Sequence, residues 1–120
     1  MPGLLLFDIC HARSGDKGRD ANVGLIAWHP DLFETLLSLT SESAMKEHFG
    51  PLVVGPIDRY VLPNISAVNL VLHDALDGGG TRSLRIDAQG KALCEITLRM
   101  KIEVTEEVEQ LVRTHNPREA

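Results

Sequence analysis

Two nearly continuous apolar runs, separated by a polar stretch, constrain the fold of this chain more than any other feature of its sequence. The runs cover residues 4–10 and 23–28, and the polar stretch covers residues 11–22. Apolar runs of this kind are typical of central strands, or of strands covered on both faces. Because a hairpin turn needs only about two to five residues, the polar stretch is predicted to form a long loop between two core strands.

The polar stretch carries charges of alternating sign, and Gly15 and Gly18 lie on either side of Asp16 and Lys17. Long ordered loops in compact domains are often functional. Glycines allow backbone N–H groups to converge on an anion, and Arg13 or Lys17 would add positive charge. The stretch fits no phosphate-binding motif such as GxxxxGKS. Its spacing therefore leaves two interpretations open, an anion-binding loop and a wide surface loop held by its own ion pairs.

Two short helices and an edge strand are predicted next. Residues 43–49 indicate a helix with Ser41 near its start and Gly50 at its end. Residues 53–63 have the composition of a strand that Pro56 interrupts, which favours an edge strand or one that starts near Ile57. The first helix is predicted from apolar residues at helical spacing: Leu32, Phe33, Leu36 and Leu37.

A third helix is predicted over residues 65–76, and it leads into a glycine-rich segment at residues 78–82. His73 could serve there as a general acid or base, although a histidine at a helix end more often caps its own C-terminus. Three successive glycines would permit close backbone approach to a ligand or another chain, and a flexible linker is the equal alternative. The helix would have an apolar face of Ile65, Val68, Leu72, Ala75 and Leu76 beside a polar stripe of Ser66, Asn69, His73 and Asp77.

The last third of the chain predicts a hairpin and a C-terminal helix. Its strands are residues 83–86 and 91–104, with Gly90 at the turn. Even-numbered residues from Ala92 to Val104 are apolar and odd-numbered ones from Glu95 to Glu103 are polar, which is typical of a half-buried strand. The helix covers residues 105–115. Residues 1–120 are therefore expected to form one α+β domain, a two-layer sandwich with a mostly antiparallel sheet of about four to five strands and helices on one face.

Charge and cysteine usage exclude several classes of function. The formal net charge is −5 and there is no basic run, which argues against nucleic acid or an anionic membrane as a partner. No apolar stretch has bilayer length, and the N-terminus lacks the basic region of a signal peptide. Cys10 and Cys94 indicate core thiols in a reducing compartment, so a cytoplasmic location is expected. The five histidines show no metal-ligand spacing, so neither a metal nor another cofactor is expected.

Five ordered segments together resemble one known family. They are residues 13–18 with Asn22, residues 59–64, residues 69–73, residues 78–85 and residues 89–91. Over roughly residues 4–102 the chain resembles the C-terminal domain of the acyclic terpene utilisation proteins called AtuA, described as an AtuA-like ferredoxin-fold domain. The resemblance implies a ferredoxin-like α+β fold and a role in the catabolism of acyclic terpenoid or branched acyl-CoA compounds.

Two departures from the family pattern bear on function. In the family the domain usually follows a larger N-terminal region, which this sequence does not contain, so activity that depends on that region is expected to come from another chain. Arg19 follows Gly18 where asparagine is expected, and Trp28 ends the second apolar run where a basic residue is expected. These differences concern ligand contacts rather than the fold.

The sequence is consistent with three functions. The first is a small subunit or accessory domain of a catabolic enzyme acting on acyclic terpenoid, branched acyl-CoA or hydroxy-acid compounds, with an anion-binding cleft. The second is a non-catalytic oligomerisation or partner-binding module. The third is an independent small enzyme that uses His73 and Asp16 as acid and base. Candidate ligand-binding residues are Arg13, Ser14, Gly15, Lys17, Gly18, Asn22, Asn69, Gly78, Gly79, Gly80, Thr81 and Arg82.

The expected partners are a larger AtuA-like chain and a second copy of this chain. Self-association is expected because a long strand over residues 91–104 would leave a sheet edge to be covered. An acyl-CoA or a carboxylate is the expected ligand, held by the charged and glycine-rich segments at the same end of the sheet.

Overall fold

The computed structural model describes the backbone of residues 4–17, 20–50, 53, 55–73 and 90–115, and the side chains of all of these except residues 14–17 and 90–92. The strands in this part of the chain are β1 (Leu4–Leu5), β2 (Cys10–Lys17), β3 (Asp20–Ala27), β4 (Ile57–Leu62), β5 (Ala67–Leu72) and β6 (Lys101–Ile102). The α-helices are α1 (Phe33–Leu39), α2 (Glu42–Phe49), α3 (Gly90–Leu98) and α4 (Glu106–His115).

The described residues form two antiparallel sheets, and the larger has four strands in the order β2-β3-β5-β4. The smaller sheet pairs β1 with β6. Helix α3 packs against β2 and β3, and α2 packs against β4. This arrangement confirms the α+β class predicted from the sequence.

The hydrophobic core lies between the four-stranded sheet and the helices. Every second residue of β3 is buried, as expected when one face of a strand is covered. The two central strands contribute Ala21, Val23, Leu25, Ala27, Val68, Leu70 and Leu72, and the helices contribute Leu36, Met45, Phe49 and Leu93. Each fully buried leucine of this set stabilises the fold by about 1.5–3 kcal/mol relative to an exposed one.

The predicted helices before β4 are confirmed, and local capping explains their limits. The Ser41 hydroxyl accepts a hydrogen bond of 3.2 Å from the Ala44 amide at the start of α2. Gly50 ends α2 with a φ of 57°, a value that favours glycine. Arg59 in β4 donates to the carbonyls of Leu37 (2.7 Å) and Thr40 (3.0 Å), which satisfies orphan acceptors at the end of α1.

The long loop predicted at residues 11–22 is wrong. Strands β2 and β3 pair in register throughout this stretch, from Cys10 opposite Ala27 to Lys17 opposite Asp20. Residues 18 and 19 lie outside the described residues. The physical reason is that an edge strand needs little apolar surface of its own when its backbone pairs with a well-anchored neighbour. Here the buried residues of β3 supply that anchor.

The helix predicted at residues 65–76 is also wrong where the structure describes it. Pro63–Ile65 form a 3₁₀ turn, Ser66 has a left-handed φ of 54°, and β5 follows. Its periodicity was ambiguous because Val68, Leu70 and Leu72 also satisfy the two-residue repeat of a strand. Residues 67–72 form a strand because they pair with both β3 and β4, and such tertiary contacts override helix propensity.

The strand predicted at residues 91–104 is replaced by α3 and the two-residue β6. Leu93 and Thr97, one helical turn apart, are both fully buried. The Thr97 hydroxyl donates to the Leu93 carbonyl at 2.6 Å, so a residue assigned to the solvent-facing side of a strand lies inside instead. Self-association is predicted from the exposed edge of a long strand over residues 91–104, and these residues do not form such a strand. The partner strand at residues 83–86 lies outside the described residues.

The first predicted strand is interrupted, whereas the C-terminal helix is present. Residues 6–8 form a 3₁₀ turn between β1 and β2, and the Asp8 carboxylate accepts a hydrogen bond of 2.8 Å from the Leu5 amide. Helix α4 occupies the predicted position. Among the described helices, none has both the length and the apolar character needed to cross a membrane.

Candidate functional site on the open face of the sheet

The face of the four-stranded sheet opposite the helices, called the open face below, carries most of the polar groups singled out in the sequence. Strand pairing places them in rows that cross the sheet. One row contains Arg13, Gly24, Asn69 and Tyr60 on β2, β3, β5 and β4 in turn. The next row contains Gly15, Asn22, Val71 and Asp58.

Asn22 and Asn69 form a side-chain pair at the centre of this face. The Asn22 carboxamide Nδ2 donates to Oδ1 of Asn69 at 3.2 Å, across the β3–β5 pairing. Both residues line a shallow cleft of 160 Å³ whose remaining lining is Asp20, Ala21 and Val71. Because each carboxamide has more donors and acceptors than this one bond uses, the pair can still bind a carbonyl group in the cleft or, on the side of Arg13, a carboxylate.

Gly24 leaves space beside the asparagine pair. A Cβ atom at this position would lie 3.8 Å from the Arg13 carbonyl oxygen and 3.9 Å from Oδ1 of Asn69. These are ordinary van der Waals distances, so the glycine is not required by the fold. Because Gly24 has no side chain, it leaves open space on the sheet surface between the exposed Arg13 and the carboxamide of Asn69.

His73 lies directly after β5 and bridges two carboxylates from the neighbouring strands. Its Nε2 is 2.8 Å from Oδ2 of Asp58, and its Nδ1 is 3.2 Å from Oδ2 of Asp20. The hydrogen bond to Asp58 is the main cause that raises the pKa of His73 above 6.5, and Asp20 raises it further, while partial burial opposes the shift. Both ring nitrogens face carboxylate oxygens, which accept hydrogen bonds when ionised, so this geometry favours the imidazolium, the form with an N–H donor at each nitrogen.

The backbone of His73 is fixed by the segment before β4. The Gly55 amide donates to the His73 carbonyl at 2.9 Å, and the His73 amide donates to the Pro56 carbonyl at 3.1 Å. A Cβ atom on Gly55 would lie only 2.7 Å from the His73 carbonyl oxygen. Nζ of Lys46 donates to the carbonyls of Val53 and Gly55, 2.5 Å from each. The histidine is therefore held by main-chain contacts as well as by its two carboxylates.

The structure brings Arg13, Asn22, Asn69 and His73 to one face, although two of them were predicted on a helix and two in a loop. Asp16 pairs with Ala21 in the strand register, and the described carboxylate partners of His73 are Asp20 and Asp58 instead. Sequence reasoning missed these two aspartates because only strand register shows that they flank the histidine. The side chains of the remaining predicted site residues lie outside the described part of the chain; these are the catalytic candidate Asp16 and the ligand-binding candidates Ser14, Gly15, Lys17, Gly18, Gly78, Gly79, Gly80, Thr81 and Arg82.

The raised pKa of His73 predicts a pH dependence of stability. Because protonation is favoured in the folded state, the stabilisation is fully present below pH 6.5 and is lost as the pH rises through the folded-state pKa. The free energy of unfolding should fall over that interval and should fall less in His73→Gln. An NMR titration should give a His73 pKa above 6.5, lowered more by Asp58→Asn than by Asp20→Asn. A wild-type pKa at or below 6.5 would contradict the bridging geometry.

Comparison with known proteins gives one match. A family model described as the AtuA ferredoxin-like domain matches residues 4–103 of the chain. The match includes all six strands given above and the residues of the open face, and α4 lies beyond it. No curated protein and no solved structure matches the chain.

Proposed function

Because the chain belongs to the family of AtuA ferredoxin-like domains, we propose that it is a small subunit or accessory domain of a catabolic enzyme. The substrates proposed are acyclic terpenoid, branched acyl-CoA or hydroxy-acid compounds. The open face contributes the part of the site that recognises a carbonyl or carboxylate group. The single observation that carries this proposal is the Asn22–Asn69 pair, which crosses two strands and lines a cleft.

Electrostatics favours ligand contact at the Arg13 side of the face. Arg13 is exposed and adds positive charge next to Gly24 and Asn69. At the other side, the His73 imidazolium already faces the carboxylates of Asp20 and Asp58. A charge-assisted hydrogen bond is worth about 1.5–3 kcal/mol against about 0.5–1.5 kcal/mol for a neutral one. An anionic group is therefore best placed between Arg13 and the carboxamides.

The environment of His73 supports an accessory role more than independent acid–base catalysis. A general base needs a free lone pair directed at the substrate, and both nitrogens of His73 face carboxylates within hydrogen-bond distance. The role proposed for His73 is to hold Asp20 and Asp58 together across the sheet. Chemistry on the ligand would then come from a partner chain.

A second candidate function, partner binding without a ligand, is favoured by apolar side chains on β4, an edge strand of the described sheet, and on the turn that follows it. Tyr60, Leu62 and Ile65 are 55%, 43% and 59% exposed. Exposed edge strands with apolar side chains are typical sites of pairing with another chain. A larger AtuA-like chain or a second copy of this chain that covered β4 would also border the open face, so the two proposals are compatible.

Co-purification tests the partner. The chain co-expressed with a larger AtuA-like chain should form a complex, and Leu62→Lys should weaken it while leaving the fold intact, since an exposed substitution changes stability by about 0.5 kcal/mol or less. Glu34→Lys, an exposed residue of α1 on the opposite layer, is the matched control. Absence of a complex, together with a monomer mass by light scattering at micromolar concentrations, would contradict both partner proposals.

Ligand binding is predicted to depend on the carboxamide pair. Asn69→Ala should weaken binding of a branched-chain acyl-CoA or its free acid by about tenfold, equivalent to roughly 1.4 kcal/mol. Gly24→Leu should do the same by filling the space beside Arg13. Asn64→Ala is the control, because Asn64 is an exposed asparagine in the turn before β5. Calorimetry on the complex that shows equal affinity for Asn69→Ala and Asn64→Ala would refute the ligand site.

A further inference from the structure

Two histidines and an aspartate meet where the last turn of α4 contacts the turn before α1. His29 precedes the 3₁₀ turn Pro30–Leu32 that contains Asp31, and His115 is the final residue of α4. The two imidazole rings are stacked with centroids 3.6 Å apart and planes 8° from parallel. These three residues are called the His–Asp cluster below.

The donor atoms of the cluster have nearly the separations of a metal site. Oδ2 of Asp31 lies 3.5 Å from Nδ1 of His29 and 3.2 Å from Nε2 of His115. Bonds of about 2.0–2.1 Å to a tetrahedral Zn²⁺ ion place neighbouring ligand atoms roughly 3.3 Å apart. One donor atom from each of the three residues lies within 4.8 Å of the others. Two of the three separations thus already match neighbouring ligands of a tetrahedral ion, and the third, between the two histidine nitrogens, is no more than 4.8 Å.

We propose that the His–Asp cluster binds a divalent transition-metal ion of the Zn²⁺ type. Imidazole nitrogen with one carboxylate oxygen is a donor set that suits Zn²⁺, Cu²⁺ and Ni²⁺ better than Mg²⁺ or Ca²⁺. Three protein ligands leave the fourth position for water or another group. The half-exposed Asp31 carboxylate and the 41% exposed His29 side chain give an ion direct access from solvent.

Binding requires two local changes. The rings must rotate out of their stack, because the lone pairs of parallel rings do not converge on one point. Nδ1 of His29 now accepts a hydrogen bond of 3.1 Å from the Asp31 amide, so its lone pair is held close to the carboxylate and becomes a metal ligand when that bond is given up.

The consequence of binding is attachment of α4 to the body of the domain. Val112 is the buried residue of this helix among its described side chains, and Val108 and Leu111 pack partly buried against the core. The helix also contacts the turn at Pro30–Leu32, and a bound metal would add a link between the two. A metal that binds the folded chain more tightly than the unfolded chain raises stability by mass action. His115 lies beyond residues 4–103, whereas His29 and Asp31 lie within them, and the cluster shares no residue with the open face, so this inference does not rest on the proposed function.

The test uses the full chain without a histidine tag, treated with a chelator and then titrated with Zn²⁺ alone. One ion per chain should bind by calorimetry, and the melting temperature should rise with Zn²⁺ concentration. Co²⁺ at the same site should give the visible absorption of tetrahedral nitrogen and oxygen ligation. His29→Ala and His115→Ala should each weaken Zn²⁺ binding at least tenfold and abolish the rise in melting temperature.

His11→Ala is the matched control, since His11 also stacks on an aromatic ring, that of Trp28, but lies outside the cluster. This variant should bind Zn²⁺ as the wild type does. Circular dichroism checks that each variant folds. Zn²⁺ affinity that is undetectable at micromolar concentrations, or that is unchanged in both His29→Ala and His115→Ala, would overturn the proposal.

Discussion

Replacing Leu70 by alanine is expected to lower the free energy of unfolding by about 2–5 kcal/mol, the usual range for truncation of a buried leucine. Leu70 is fully buried and lies in the central strand β5, opposite Val23 on one side and Arg59 on the other. The cavity cannot close easily because both neighbouring strands fix its walls. Urea denaturation of the wild type and the variant measures the difference.

Ile65→Ala is the control, and it also tests the architecture. The side chain of Ile65 is 59% exposed in the turn before β5, so its truncation should change stability by about 0.5 kcal/mol or less. A helix over residues 65–76 would give the opposite result, because Ile65 would lie on its apolar face and Leu70 would not. A large effect at Ile65 with a small one at Leu70 would therefore rule out β5 as a central strand.

Gly55→Ala is expected to cost about 2–4 kcal/mol, which combines overpacking of about 1–3 kcal/mol with the weakening of a backbone hydrogen bond. Its Cβ atom would lie 2.7 Å from the carbonyl oxygen and 2.9 Å from Cβ of His73. The atom it meets first belongs to the main chain, so the segment before β4 must move away from His73. The same shift should lengthen the contacts of His73 with its two aspartates and lower its pKa toward 6.5.

Gly24→Ala separates this effect from the general cost of losing a glycine. Its added Cβ would be 3.8 Å or more from any other group outside the neighbouring residues, and alanine is no worse than glycine in a strand. Stability should change by less than about 1 kcal/mol. Equal melting temperatures for Gly24→Ala and Gly55→Ala would show that the close approach at Gly55 does not exist in solution.

The elements of secondary structure that depend on local residue patterns could be predicted from the sequence. Strand β3, helix α2 and the start of β4 follow from an apolar run, from Ser41 and Gly50 at the two helix ends, and from Pro56. These signals work because capping and proline geometry act within a few residues. The AtuA-like resemblance and the α+β ferredoxin-like class were also predicted correctly, since five motifs in order are more specific than any one of them.

The wrong predictions concern segments whose structure is decided by distant partners. Residues 67–72 fit a helix and a strand equally well until β3 and β4 pair with them on both sides. The alternation at residues 92–104 has the same ambiguity, because Leu93 and Thr97 are also spaced one helical turn apart. Burial of a threonine decides between the two, and burial is a tertiary property.

In the candidate sites, too, individual residues could be predicted from the sequence, whereas their contacts with distant residues could not. Asn22 is predicted in the polar stretch, and Asn69 and His73 on the polar stripe of a helix, but their contacts depend on strand register. The partnership of His73 with Asp20 and Asp58 links three strands. The His–Asp cluster has no sequence signature at all, because His115 joins His29 and Asp31 only when α4 packs on the turn before α1.

The order of the strands has a consequence for how the protein assembles. Strands β2 and β3 form one local hairpin and β4 and β5 form another, and the β3–β5 pairing is the seam that joins them. The Asn22–Asn69 contact crosses this seam between residues 47 positions apart in the chain. Long-range pairings of this kind are slow to form because loop closure must come first. The Asn22–Asn69 pair forms only once the two hairpins have paired with each other. A ligand bound to this pair would contact both hairpins and would therefore stabilise the β3–β5 pairing against opening.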